Sequence, residues 1–100
     1  MLHLIKPHKH THKHTMNIKA IYDNGGETFD RYTVYYNEKE ANDCFAGRGM
    51  SDKPFHPQGF GQCITGQLGS HNGKRIQFDA LPTDCKTLIE SDLNLLPLNK

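Results

Sequence analysis

Asp23-Asn24-Gly25-Gly26 sits between two segments of strand-like residues, and no other feature limits the fold of this chain as tightly. Asn-Gly accepts the positive φ angles of a type I′ turn, whose twist matches that of the strands it joins. Before it, Ile18, Ala20 and Tyr22 alternate with Lys19 and Ile21, the period-two pattern of a strand. After it, Phe29 to Tyr36 is rich in Thr, Val and Tyr, which suit a pleated surface. Residues 17–36 are therefore expected to form a β-hairpin. A two-residue turn at Asn24-Gly25 would set Lys19 opposite Asp30, a favourable charge pair. A four-residue turn would shift that register, and both remain open.

The second constraining stretch is Pro54-Phe55-His56-Pro57-Gln58-Gly59-Phe60-Gly61-Gln62. Two prolines fix φ and push the residues before them to extended conformations, while Gly59 and Gly61 allow backbone angles closed to other residues. The stretch is expected to be a shaped loop with Phe55 and Phe60 as apolar anchors and His56, Gln58 and Gln62 as polar groups. Between hairpin and loop, residues 37–43 read as a solvent loop or one helical turn. Cys44-Phe45-Ala46 reads as the start of a third strand, and Gly47 to Ser51 as the lead into the loop. Beyond it, 62–65 and 74–78 read as short strands, with a glycine-rich turn over 66–73.

The C-terminal segment is expected to be helical. Pro82 blocks continuation from upstream, Thr83 suits an N-cap, and Asp84 complements the positive end of the helix dipole. Cys85, Leu88, Ile89, Leu93 and Leu96 form one apolar stripe, and Pro97 ends it. A helix of about 13 residues is marginal alone, so the stripe must pack on the strands. The expected fold class is α+β: a small antiparallel sheet built on the N-terminal β-hairpin and packed by one C-terminal helix.

Residues 1–15 are set apart as a His-rich extension. His8, His10, His12 and His14 alternate with Lys and Thr, so an extended chain would turn all four imidazoles to one face, where Zn²⁺, Ni²⁺ or Cu²⁺ could bind adventitiously. The favoured reading is a tag-like or disordered extension, with the domain beginning at Met16. Setting aside Lys6, Lys9 and Lys13 leaves nine of the 12 basic residues against 11 acidic ones, a net charge near −2. That balance argues against a nucleic-acid partner. No run is long and apolar enough for a membrane span, and the start lacks the apolar region of a signal peptide. Cys44, Cys63 and Cys85 are odd in number, widely spaced and without a CxxC, so reduced thiols in a cytoplasmic protein are expected.

The series YDNGGETFDRYTVYY, MSDKPFHPQGFGQ and GKRIQFDALPTDC resembles a group of small proteins encoded in bacterial, phage and prophage genomes. The resemblance spans roughly residues 16–93. It implies a short accessory protein, one that mobile DNA could carry, and it implies no reaction.

Candidate chemistry is sparse. His56, His71, Cys44 and Cys63 could make a tetrahedral zinc site, but structural zinc sites show paired ligands and here each stands alone. Cys63 with His56 or His71 lacks a third, orienting group for nucleophilic catalysis. The 66–73 loop lacks the GKS/T ending of a phosphate-binding loop. No catalytic residue, domain metal or cofactor is therefore assigned. Arg31 could clamp an anion, although such residues more often form a surface ion pair. Tyr32, Tyr35 and Tyr36 share one strand and must point to both faces, so at least one is expected at the surface.

The leading expectation is a non-enzymatic binding module contacting a host protein through Tyr32, Tyr35, Phe55, His56, Gln58 and Phe60. The alternative is a small-ligand or nucleotide-binding protein, even a minor hydrolase, using Arg31, His56, His71 and Lys74. A structural subunit of a phage particle, or a homo-oligomer, is a third option.

Overall fold

The computed structural model describes residues 17–40 and 42–95. The His-rich tract with His8, His10, His12 and His14, together with Leu96 and Pro97, lies outside them. The chain runs β1 (Ile18–Asp23), β2 (Tyr32–Lys39), β3 (Phe45–Met50), β4 (Gly61–Gly66), β5 (Lys74–Arg75) and α1 (Thr83–Leu95), with short 3-10 turns at Ser70–Asn72 and Phe78–Ala80. The strands form one sheet in the order β4-β3-β2-β1-β5, antiparallel throughout. This is the expected α+β arrangement, an antiparallel sheet built on the first hairpin and packed by one C-terminal helix.

The hairpin forms, but its connection is neither of the two tight turns expected. β1 ends at Asp23 and β2 begins at Tyr32. Side chains hold the loop open. The Asp23 carboxylate accepts from Gly25 N–H at 2.7 Å, and Asn24 Oδ1 accepts from the N–H groups of Gly26 at 2.8 Å and Glu27 at 3.0 Å. Asn24 N–H then donates to the Arg31 carbonyl at 3.0 Å and closes the loop. Asx side chains bonding the backbone two or three residues on compete with the tight turn, and here they win. Lys19 consequently does not face Asp30, which is bonded to Thr28 inside the loop.

A bulge between Ile18 and Ala20 changes which β1 residues share a face. An extra residue on one strand reverses the alternation beyond it. Ile18 therefore joins Ile21 on the helix side, while Ala20 and Tyr22 turn to the other. On β2, Tyr32, Val34 and Tyr36 face the helix and Tyr35 faces away. β3 extends well past the expected apolar island, through Gly47-Arg48-Gly49 to Met50. A side chain at Gly47 would overlap the Val34 carbonyl oxygen, so this strand needs glycine where it lies close against β2.

The helix-side core comprises Ile21, Tyr32, Val34, Tyr36, Met50, Leu81, Cys85, Ile89 and Leu93. Val34, Met50, Cys85 and Ile89 are each 0% exposed. Burial of such side chains contributes about 1.5–3 kcal/mol apiece, which is what holds a helix of marginal intrinsic stability. The helix starts at Thr83 itself, with Lys86 N–H bonded to the Pro82 carbonyl, so Pro82 rather than Thr83 occupies the cap. Asp92 on α1 fastens helix to sheet: its carboxylate accepts from Arg48 Nε at 2.9 Å, from Arg48 Nη2, and from Tyr36 Oη at 2.6 Å.

The second face carries a smaller cluster of Ala20, Tyr22 and Tyr35, with Phe45, Ile64 and Leu68 against it. The crossover from β4 to β5 covers it. Gly69 N–H donates to Tyr22 Oη and Tyr35 Oη donates to Asn72 Oδ1, both at 3.0 Å. The chain then pairs β5 with the end of β1 and rounds that edge to place α1 on the opposite face. Of the strand expected over 74–78, only Lys74–Arg75 forms, and Phe78 opens a 3-10 turn.

Candidate functional site

Antiparallel order brings two loops to one end of the sheet. Tyr32 at the start of β2 pairs with Met50 at the end of β3, so the 24–31 loop lies beside the 51–60 loop. Their contact is a ring pair, Phe29 with Phe60, centroids 5.9 Å apart. Phe29 is 63% exposed and Phe55 56%, and with Leu95 they are the large apolar side chains most open to water among the described residues. The Phe29/Phe60 pair leaves apolar surface at this end of the sheet open to water.

Both loops are built to hold position. Ser51, only 4% exposed, is the anchor of the second. Its N–H donates to the Phe60 carbonyl at 2.8 Å, and its Oγ accepts from Phe60 N–H at 3.0 Å and Lys53 N–H at 3.4 Å. Its carbonyl accepts from the Cys85 thiol at 3.3 Å, which ties the loop to α1. Successive turns follow: His56 N–H donates to the Lys53 carbonyl at 3.1 Å and Gly59 N–H to the His56 carbonyl at 2.7 Å. His56 Nδ1 accepts from Gln58 N–H at 3.1 Å, which directs the imidazole back over its own turn. A Cβ on Gly59 would overlap the Lys53 carbonyl oxygen, so this turn admits only glycine.

The first loop is braced by Arg31, whose Nε and Nη2 donate to the two oxygens of Asp23 at 2.8 and 3.1 Å. That guanidinium bonding is the main cause holding the Asp23 carboxyl below its usual range, against the opposing effect of burial. Arg31 also stacks over the Tyr32 ring at 5.2 Å. Between the loops runs a groove lined by Glu27, Phe29, Arg31, Ser51 and Asp52 among others.

The six residues expected to form one surface divide. Phe55, His56 and Gln58 are exposed on the 51–60 loop and Phe60 is half-buried beside Phe29. Tyr32, Tyr35 and Tyr36 are 6%, 3% and 3% exposed, so none of the three supplies a surface ring. Tyr32 belongs to the helix-side core and Tyr35 to the opposite cluster. Burial raises the pKa of all three phenols, and for Tyr36 the bond to Asp92 adds to the effect.

The alternative set, Arg31, His56, His71 and Lys74, is spread over separate elements. Arg31 is engaged by Asp23. His56 lies in the β3–β4 loop, His71 in the crossover on the second face, and Lys74 opposite Asp23 on β5. Cys44, Cys63 and Cys85 are unpaired thiols, and among the described residues no group of three or more His, Cys, Asp or Glu side chains could hold a metal ion. Also among them, no helix is long and apolar enough to cross a membrane.

Two contributors were hidden in the sequence. Phe29 reads as a strand residue until the Asx side chains are seen to carry the loop past it. Ser51 reads as a link, and its role appears only once β3 is known to run to Met50. The chain matches no protein-family model, no curated protein and no solved structure.

Proposed function

We propose that this is a small, non-enzymatic accessory protein of the cytoplasm, of a kind that phage or other mobile DNA could carry, acting by contact with another protein. Its contact surface is the loop end: Phe29, Phe55 and Phe60 as apolar anchors, with His56 and Gln58 as the polar groups around them. The observation that carries this reading is the pair of solvent-facing phenylalanines on loops that are otherwise internally hydrogen-bonded. Rigid aromatic anchors with polar neighbours bind partners at low entropic cost, the composition that dominates interface energetics. The carboxylates of Glu27 and Asp52 at the groove favour a partner with basic residues at the rim.

The test is capture from host lysate with the full chain, comparing wild type with Phe29→Ser, Phe55→Ser and the double variant His56→Ala/Gln58→Ala. The reading requires one stoichiometric partner, lost in the variants while their melting temperatures stay near wild type. Capture that survives all of them, or no partner at all, overturns it. A thermal-shift screen with nucleotides and divalent metals addresses the small-ligand alternative, because a ligand bound only by the native state raises its melting temperature.

A further inference from the structure

β4 is an outer strand of the sheet, and its free side has a definite hydrogen-bonding pattern. Asn24 N–H donates to the Arg31 carbonyl, so those two residues form a bonded pair. Antiparallel ladders alternate bonded and non-bonded pairs. Asp23/Tyr32 is therefore non-bonded, Tyr32/Met50 bonded and Met50/Gly61 non-bonded. Gly61 consequently turns its N–H and C=O away from β3, and with period two so do Cys63 and Thr65. The bond from Ser51 N–H to the Phe60 carbonyl at 2.8 Å fixes the same phase independently.

Sheet edges are normally blunted by Lys, proline, bulges or a covering segment. β4 has none of these among the described residues. Its six residues pair with β3 without a register shift, and Gly61, Gln62, Cys63 and Thr65 are exposed. From Pro54 to Gly73 the chain carries no Asp, Glu, Lys or Arg, although 23% of its residues are charged. Neutrality is thus concentrated on this strand and its flanks, where a like-charged copy would otherwise be repelled.

We infer that β4 pairs antiparallel with β4 of a second copy, joining the two sheets edge to edge about a two-fold axis normal to them. An antiparallel edge is its own complement under that symmetry. Residues opposite one another must lie on the same face, so the axis runs midway between the two copies of one residue, which then face each other. Centred on Cys63, it joins Cys63 with Cys63 of the second copy, and Gly61 with Thr65 in both directions, so every outward N–H and C=O of β4 finds a partner. Centred on Ile64, the groups of Gly61 are left outside β4 of the second copy. The Cys63 register is the one the edge fits. An interface of one strand pair is small, placing the dissociation constant on the order of micromolar to millimolar.

The experiment measures the mass of the full chain by light scattering against concentration into the millimolar range, alongside cross-linking with a short bis-maleimide. Wild type should approach twice the chain mass and cross-link, and Cys63→Ser should keep the mass and lose the cross-link. Cys63→Lys sets two ammonium groups face to face, and Thr65→Pro removes an N–H that points outward, a place where an edge strand tolerates proline. Both should weaken association about tenfold or more. Cys63→Lys also stands opposite Arg48 on β3, so its melting temperature should fall by several degrees while that of Thr65→Pro stays near wild type. Should Thr65→Pro fail to fold, Cys63→Lys decides. A single-chain mass throughout the range, or a dimer indifferent to Cys63→Lys, overturns the inference and in the second case moves the contact to another surface, the Phe29/Phe60 end included.

Discussion

Replacing Asp92 by alanine removes a carboxylate that joins α1 to the β-sheet through charge. Its side chain is 14% exposed and that of Arg48 18%. Three bonds are lost at once, two from the Arg48 guanidinium and one from Tyr36 Oη. Breaking a buried pair by deleting one partner costs about 3–5 kcal/mol, because the other charge stays behind uncompensated. Residual exposure lets water reach the abandoned guanidinium, so the expected loss is about 2–4 kcal/mol. For a domain of this size that lowers the melting temperature by roughly 10–25 °C. Asp92→Asn keeps the acceptor and loses the charge, and should fall between wild type and alanine. Denaturant melts of Asp92→Ala, Arg48→Ala and the double variant complete a cycle, with an expected coupling above about 1 kcal/mol. A loss under about 0.5 kcal/mol for Asp92→Ala would match an ordinary surface pair and refute the reasoning.

Gly59→Ala drives a methyl into the Lys53 carbonyl and should destabilise by about 1–3 kcal/mol in denaturant melts, whereas the same change at exposed Gly61 should cost less. Burial pushes the Cys85 thiol up to about 11 from 9.0. The unfolded chain therefore ionises first, and stability should fall as pH rises from 9.0 towards 11, with a shallower slope in Cys85→Ala. Asp23 titrates in the opposite sense. Its folded pKa lies below the unfolded value, so its contribution is present above the unfolded value and lost as pH falls through the folded one. In a carboxyl NMR titration Arg31→Ala should move Asp23 back up, and an unmoved midpoint would remove Arg31 as the cause.

The fold class was legible because α1 and β2 advertise themselves over many residues. Cys85, Leu88, Ile89 and Leu93 keep one helical stripe, and the Thr, Val and Tyr run of β2 admits little else. What stayed hidden depended on single side chains acting out of register with any pattern. Asp23 and Asn24 look like turn formers for a tight hairpin, yet their oxygens capture the next N–H groups and push the start of β2 from Phe29 to Tyr32. One bulge beside Lys19 then reassigns Ile18 to the other face. The tyrosines misled for a related reason. Alternation does send Tyr32 and Tyr35 to opposite faces, but both faces are covered, one by α1 and one by the Gln67–Gly73 crossover. Coverage of the second face rests on Tyr22 and Tyr35 bonding Gly69 and Asn72, contacts between residues far apart in sequence that no local periodicity encodes.

The loop end and the β4 edge are adjacent in the chain, since Phe60 is followed directly by Gly61, yet the contacts proposed for them ask for different partners. The loop end offers aromatic rings and a groove with carboxylates, which suits a basic, apolar surface on another protein. The edge offers bare backbone and neutral side chains, which suits an identical strand. A two-fold axis through Cys63 points the two loop ends of a pair in opposite directions, so each stays open while the edges are joined. Self-association would then make the protein bivalent and raise its apparent affinity for a target presented in repeated copies, without adding a contact to either site. Cys63→Lys, which leaves Phe29, Phe55 and Phe60 in place, separates the two effects. It should reduce capture of a repetitive or surface-immobilised target far more than binding to one isolated copy. Equal loss on both would mean that the edge strand itself belongs to the contact surface.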